Sequence, residues 1–122
     1  YLLRGRFYTP TAMTSPPVVM LLSGSGGVAA QYLNKVIHRY LKRVGVRVLC
    51  MDYRGFGGSD RKAPSEQGLF TDAEAMYTYL TADTVMGGLE IPMKKVVVHG
   101  YSLGTGVATE LVRRKPGVGG LV

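Results

Sequence analysis

The most informative part of the sequence is Val96-Val97-Val98-His99-Gly100-Tyr101-Ser102-Leu103-Gly104. Three valines lead into a G-x-S-x-G motif, and apolar residues at helical spacing follow it. A strand that enters a helix through this motif holds the serine on a sharp turn, with its hydroxyl above the sheet. Such a turn brings the positions two before and two after the serine together, so only side chains as small as those of Gly100 and Gly104 fit. We therefore predict a strand-to-helix turn that exposes Ser102.

The same turn would give Ser102 the surroundings of a nucleophile. The Leu103 N–H and the N-terminus of the following helix would lie where negative charge develops on an attacked carbonyl oxygen. A serine between glycines at a helix start can also serve only as an N-cap. The apolar strand before the motif and the amphipathic helix after it favour the nucleophile, with Leu103 as an oxyanion donor.

Strands and helices alternate along the rest of the chain. Apolar runs predict strands at 18–22, 46–51 and 95–98, and one more that begins at 120. Apolar residues at three- and four-residue spacing predict helices between them, the first of which ends at Gly45. The middle helix begins either at Ser65 or at Thr71, and the weakly alternating residues 3–8 fit an edge strand. This order predicts an α/β fold, a parallel sheet with helices on both faces.

A glycine-rich turn, Ser23-Gly24-Ser25-Gly26-Gly27, follows the strand at 18–22. In a serine hydrolase this loop lies beside the nucleophile and supplies a second oxyanion donor. The Ser25 N–H is the best candidate, because the glycine before it permits close approach of the substrate.

The same turn supports a different class of protein, a dinucleotide-binding module. Gly24, Gly26 and Ala29 fit the phosphate-binding fingerprint, and Asp52 ends the next strand, where a ribose-binding acid would lie. A lone fingerprint of this kind is weak evidence. The motif around Ser102 therefore favours the hydrolase, with the dinucleotide module as the alternative.

A third stretch, Asp52-Tyr-Arg-Gly-Phe-Gly-Gly-Ser59, and the motif that continues from Gly100 to Thr109 together resemble the α/β-hydrolase superfamily. The resemblance runs from about residue 18 to 122 and is closest to the branch of monoacylglycerol and lysophosphatidylserine lipases, to which protein depalmitoylases form a sister branch. One departure is Ser23-Gly24, where the family usually has His-Gly.

The resemblance implies hydrolysis of a carboxylic ester or thioester, with a lipid acyl ester as the favoured substrate. It implies an acyl-enzyme intermediate and no metal or cofactor. The implied site comprises the nucleophile Ser102, the oxyanion donors Ser25 and Leu103, and the elbow glycines Gly100 and Gly104. It also implies that Asp52 and Arg54 organise their loop.

A serine nucleophile needs a general base and an acid that orients this base. In α/β hydrolases both follow the serine in the chain, but after Ser102 the sequence has one acid, Glu110, and no histidine. Glu110 lies too far along its helix to serve, and we expect His99 to be a buried, hydrogen-bonded strand residue. Residues 1–122 are therefore expected to be the N-terminal part of a single α/β-hydrolase domain, truncated after the nucleophile-elbow helix and inactive without the remainder.

Composition excludes several classes of protein. With 46% apolar residues the chain is not a disordered one, and its one cysteine, Cys50, precludes an intramolecular disulfide. No apolar run approaches the roughly 20 residues of a membrane-spanning helix, and no signal peptide is recognisable. A cytoplasmic or peripheral membrane location is therefore favoured.

The net charge of +7 invites a nucleic-acid interpretation. However, the basic residues fall on a helix face and at a helix end, without interleaved aromatic residues for base stacking. This pattern indicates a solvated surface and argues against nucleic acid. Peripheral membrane contact stays open, as does a non-catalytic hydrolase-like domain that binds partners through its basic faces.

Overall fold

The computed structural model describes residues 3–10, 17–23, 33–60 and 63–122. Within them the chain forms a five-stranded sheet in the order β1-β3-β2-β4-β5. The strands are β1 (Gly5–Tyr8), β2 (Val18–Leu22), β3 (Arg47–Met51), β4 (Val96–Gly100) and β5 (Gly120–Leu121). The predicted edge strand β1 is antiparallel to β3, and the other neighbours are parallel. The α/β class is thus confirmed, with one antiparallel strand at the edge.

In the described part of the chain three α-helices connect the strands: α1 (Asn34–Arg39), α2 (Glu66–Thr81) and α3 (Leu103–Arg114). α1 continues as a π-helical segment, Tyr40–Val44, and ends at Gly45, whose φ of 75° is left-handed. Glycine adopts this conformation without steric cost, so the predicted stop at Gly45 is confirmed. Short 3₁₀ helices cover Thr84–Met86 and Met93–Lys95.

The start of α2 lies at the earlier of the two predicted positions. The Ser65 Oγ accepts a hydrogen bond from the Gly68 N–H at 2.9 Å, as an N-cap does. The Thr71 hydroxyl instead donates to the carbonyl of Gln67 one turn back within the helix. The alternative start at Thr71 is therefore wrong.

The sheet separates two apolar layers. α2 and α3 pack on one face, where Met20 and Val98 contribute from the strands. α1 packs on the other face against Leu21 and Cys50. All five residues of β2 are buried, which explains why its sequence is an unbroken apolar run without alternation.

Parallel pairing places the carboxyl ends of β2, β3 and β4 at one edge of the sheet. Ser23, Asp52 and Tyr101 directly follow these three strands. In open α/β sheets ligands bind at this edge, so the fold brings the predicted site segments to the expected place.

Candidate active site

The backbone turns sharply at Ser102. Its φ of 56° and ψ of −118° lie where non-glycine residues are rarely found. Such a conformation costs on the order of 1–3 kcal/mol and persists only where the surrounding structure enforces it. The residue is exposed, and its side chain makes no capping hydrogen bond to α3. The predicted turn is thus present, and its serine hydroxyl is not used as an N-cap.

Two glycines make this turn sterically feasible. A Cβ on Gly100 would overlap the Gly104 carbonyl oxygen and lie 2.7 Å from the Cα of Thr105. A Cβ on Gly104 would overlap the carbonyl oxygen of Leu22 and lie 2.6 Å from its carbonyl carbon. Since these neighbours are backbone atoms, they cannot move aside as a flexible side chain would. These close backbone contacts therefore explain why the sequence motif requires small residues at both positions.

Hydrogen bonds fix the end of β2 beside the turn. The Tyr101 N–H donates to the Leu22 carbonyl at 2.9 Å. The hydroxyl of Tyr53, a residue only 1% exposed, donates to the Ser23 carbonyl at 3.3 Å. Two separate elements thus hold the residues from which the predicted oxyanion loop departs. The contact of Tyr53 was not predicted, because nothing in the sequence near Ser23 signals a distant phenol.

The predicted residues Ser25, Gly24 and Gly26 lie outside the described residues. Ser23, the last residue described before them, is buried.

The Leu103 N–H belongs to the first turn of α3, whose leading N–H groups have no acceptor within a helix. The N–H groups of Gly104 and Thr105 donate to the carbonyls of Tyr101 and Ser102 at 3.0 Å each. These bonds close the turn onto the helix. The Leu103 N–H therefore lies next to Ser102 at the positive end of a 12-residue helix.

The Asp52 carboxylate points into its own loop. Its Oδ2 accepts the Gly58 N–H at 3.0 Å, and its backbone carbonyl accepts the Ser59 hydroxyl at 2.6 Å. Arg54 is buried and pairs with Asp72 on α2. These contacts agree with the loop-organising roles that the family resemblance implied for Asp52 and Arg54. They argue against the ribose-binding role that the dinucleotide alternative gave Asp52.

His99 lies on the α1 side of the sheet and makes the expected hydrogen bond, but it is half-buried where a buried residue was expected. Its Nδ1 is 2.6 Å from the Tyr40 hydroxyl, and the two rings meet edge to face at 5.6 Å. Partial burial lowers the pKa of His99, which favours the neutral imidazole. Its hydrogen-bond partner is thus a tyrosine of the π-helical segment, and among the described residues no hydrogen bond joins His99 to Ser102.

Glu110 is engaged elsewhere on α3. Its carboxylate accepts hydrogen bonds from Arg113 at 2.7 Å and from Arg114 at 2.9 Å. Hydrogen bonds from these two guanidinium groups lower the pKa of Glu110 to about 2. The Glu110 carboxylate therefore forms ion pairs on the surface of α3, in agreement with its predicted exclusion from the site.

The described segments contain neither a cluster of metal-ligating side chains nor a membrane-spanning helix. No group of three or more His, Cys, Asp and Glu side chains could hold a metal ion there. In the same segments, none of the helices has the length and apolar character required to cross a bilayer.

The fold and the strand-to-helix turn at Ser102 are those of an α/β hydrolase. The family model described as "Serine aminopeptidase, S33" matches residues 15–122. The chain belongs to this α/β-hydrolase family.

The known relatives of this chain support the same family. The chain is 38% identical over 103 residues to a multifunctional-autoprocessing repeats-in-toxin of Vibrio vulnificus, which covers 84% of this chain and 2% of the toxin. It is 35% identical over 108 residues to a lysophosphatidylserine lipase of Danio rerio. This alignment covers 88% of this chain and 26% of the lipase. The chain thus spans about a quarter of the lipase's length. The predicted resemblance to the lipase branch is confirmed.

Solved structures show the same fold. An α/β hydrolase from Vibrio vulnificus matches with a TM-score of 0.71 at 34% identity, over 85% of this chain and 36% of that one. A carboxyl esterase from Bacillus coagulans matches with a TM-score of 0.74 over 98% of this chain and 38% of that one. At 19% identity, the second likeness concerns the fold alone.

Proposed function

We propose that this chain carries the nucleophile of a serine hydrolase that cleaves carboxylic esters or thioesters, with lipid acyl esters as the favoured substrate class. The observation that carries the proposal is the backbone of Ser102, held at a φ of 56° with its side chain exposed and uncapped. Close backbone contacts at Gly100 and Gly104 enforce this turn. A serine with only a capping role would not need it.

In the proposed reaction the Ser102 Oγ attacks the substrate carbonyl carbon and loses its proton to a general base. The carbonyl oxygen becomes an oxyanion, which the N–H groups of Leu103 and Ser25 stabilise. The intermediate then expels an alcohol or thiol, which takes the proton from the protonated base, and an acyl ester remains on Ser102. A water molecule, deprotonated by the same base, attacks this ester, and the proton returns to Ser102 as the acid is released.

Neither histidine of this chain is suited to be that base. His99 hydrogen-bonds Tyr40 on the α1 side of the sheet, and His38 lies exposed on α1. We therefore propose that the general base and its acid are residues outside these 122, and that residues 1–122 form the N-terminal part of one hydrolase domain. Without a base the chain alone would lose about 10²- to 10⁴-fold in rate.

Two observations support a lipid acyl substrate. The side chains on both sides of Ser102 expose apolar surface, since Tyr101 is 42% and Leu103 43% exposed. An acyl chain next to the scissile ester would cover this surface and gain hydrophobic energy. In addition, one relative of this chain is a lysophosphatidylserine lipase.

The proposal is tested by treating the full-length protein with a fluorophosphonate probe. We expect Ser102→Ala to abolish labelling, and Thr105→Ala, an exposed position on the same helix, to leave it intact. Labelling that survives Ser102→Ala would remove Ser102 as the nucleophile. If the wild type is not labelled at all, the non-catalytic alternative is correct. A series of esters of increasing chain length then tests the substrate class, because a lipid hydrolase should prefer the longer chains.

A further inference from the structure

The charge of this protein is divided unevenly along the chain. Residues 1–51 contain seven of the fifteen Lys and Arg residues and none of the eight Asp and Glu residues. Residues 52–122 contain eight of each and are neutral overall. The net charge of +7 therefore comes entirely from the first 51 residues.

The structure gathers most of these cations on one face of the sheet. Leu33 and Ile37 bury the inner side of α1, and the outer side is basic. Arg6 joins this side, because its sheet partner Cys50 lies in the apolar layer beneath α1. We call this surface the α1 basic face; its five exposed cations are Arg6, Lys35, Arg39, Lys42 and Arg43.

In the second basic cluster, at the end of α3, two of the three cations are neutralised by carboxylates. Arg114 pairs with Glu74 at 2.7 Å and with Glu110 at 2.9 Å, and Arg113 pairs with Glu110 at 2.7 Å. These carboxylates lie on α2 and α3, across the sheet from α1. Among the described residues, no cation of the α1 basic face takes part in an ion pair. The two clusters look alike in the sequence, but in the described residues the α1 basic face has five cations without an ion pair, whereas the end of α3 has one, Lys115.

We propose that the α1 basic face docks the protein on an anionic lipid bilayer. Clustered Lys and Arg side chains on an amphipathic helix are attracted to anionic headgroups, at about 1 kcal/mol per cation near the surface. Val44, directly after Lys42 and Arg43, is 60% exposed and offers apolar contact at the same end of the helix. A bilayer is favoured over nucleic acid because, among the described residues, no exposed aromatic side chain stands among these cations.

The test is co-sedimentation of full-length protein with phosphatidylcholine vesicles that either contain or lack phosphatidylserine. We expect binding only to the anionic vesicles, weakening as salt shortens the Debye length from about 10 Å at 0.1 M to about 3 Å at 1 M. The double variant Arg39→Gln/Lys42→Gln should bind about 25-fold more weakly, or about fivefold per cation. The matched control Lys94→Gln/Arg113→Gln removes the same charge from exposed positions away from this face and should bind as the wild type does.

Three outcomes would overturn the proposal. They are equal binding to both kinds of vesicle, equal weakening in the two double variants, and selective capture of a DNA duplex or an acidic protein without vesicle binding. The measurement is independent of the proposed reaction, because Ser102→Ala should leave vesicle binding unchanged. A failure of the docking surface is therefore distinguishable from a failure of the hydrolase proposal.

Discussion

Arg54 and Asp72 form a buried pair that joins the loop after β3 to α2. The Asp72 carboxylate accepts the Arg54 backbone N–H at 2.8 Å and its Nη2 at 2.8 Å, and the Arg54 Nε also lies within hydrogen-bond distance. The Asp72 side chain is fully buried and that of Arg54 is 10% exposed. Loop and helix are therefore connected where water cannot replace either partner.

Replacing one partner of this pair should destabilise the protein strongly. Asp72→Asn removes the negative charge that faces the buried Arg54 guanidinium, for which we expect a loss of about 3–5 kcal/mol in the free energy of unfolding. Urea denaturation of the full-length protein measures the loss. Glu74→Gln is the control, because the ion pair of Glu74 with Arg114 is partly exposed and should contribute at most about 1 kcal/mol. Equal losses in the two variants would contradict the role assigned to Asp72.

Two glycines of α3 should respond to alanine in opposite directions. A Cβ at Gly104 would collide with the backbone of Leu22, whereas a Cβ at Gly106 would meet no atom within 4 Å. Gly104→Ala should therefore cost about 1–3 kcal/mol through overpacking. Gly106→Ala should stabilise the helix by about 0.5–1 kcal/mol. Thermal unfolding tests both, and a stabilising Gly104→Ala would contradict the close contact.

Tyr53→Phe tests whether the phenol positions the proposed oxyanion loop. The variant removes the hydrogen bond to the Ser23 carbonyl, a bond of the kind worth about 0.5–1.5 kcal/mol. We expect fluorophosphonate labelling of Ser102 to slow by roughly two- to tenfold in the folded variant. Tyr77→Phe, which changes a buried tyrosine of α2, should leave the rate unchanged. A Tyr53→Phe protein that is less stable but is labelled at the normal rate would show that Tyr53 is only structural.

The Glu110 carboxylate predicts an acid-sensitive component of stability. Hydrogen bonds from Arg113 and Arg114 lower its pKa to about 2, below the ordinary value of 4.5. A lowered folded-state pKa stabilises the protein above the unfolded-state pKa, and this contribution disappears as the pH falls from about 4.5 towards 2. Glu110→Gln should therefore reduce the dependence of unfolding free energy on pH in that window. Denaturation curves at several pH values test this, and identical pH dependence in the two proteins would contradict it.

The sequence was sufficient to predict the turn at Ser102, because most of its requirements are local. Gly100 relieves contacts with Gly104 and Thr105, and the apolar runs on either side specify a strand and a helix. The order of strands and helices was predictable for the same reason. The contact that Gly104 relieves is with Leu22 on a distant strand, and this partner was not predicted. The antiparallel direction of β1 was not predicted, since it depends on pairing with Met51 and its neighbours some 40 positions later.

Features that depend on distant partners were not predictable. Nothing near Ser23 indicates the Tyr53 hydroxyl, and nothing near His99 indicates Tyr40, 59 positions away. The start of α2 was ambiguous because Ser65 and Thr71 both have capping side chains. Only the packing of Gly68 near Ser65 and Arg54 in the folded protein distinguishes them.

The central position of β2 has a consequence for synthesis on the ribosome. Val18 pairs with Val96, which leaves the ribosome 78 residues later. At 5–20 residues per second this interval is roughly 4 to 16 s, during which one edge of a wholly apolar strand has no native neighbour. The nascent chain is then a candidate for chaperone binding. Faster translation of the residues up to Val96 would shorten the time during which β2 can pair incorrectly.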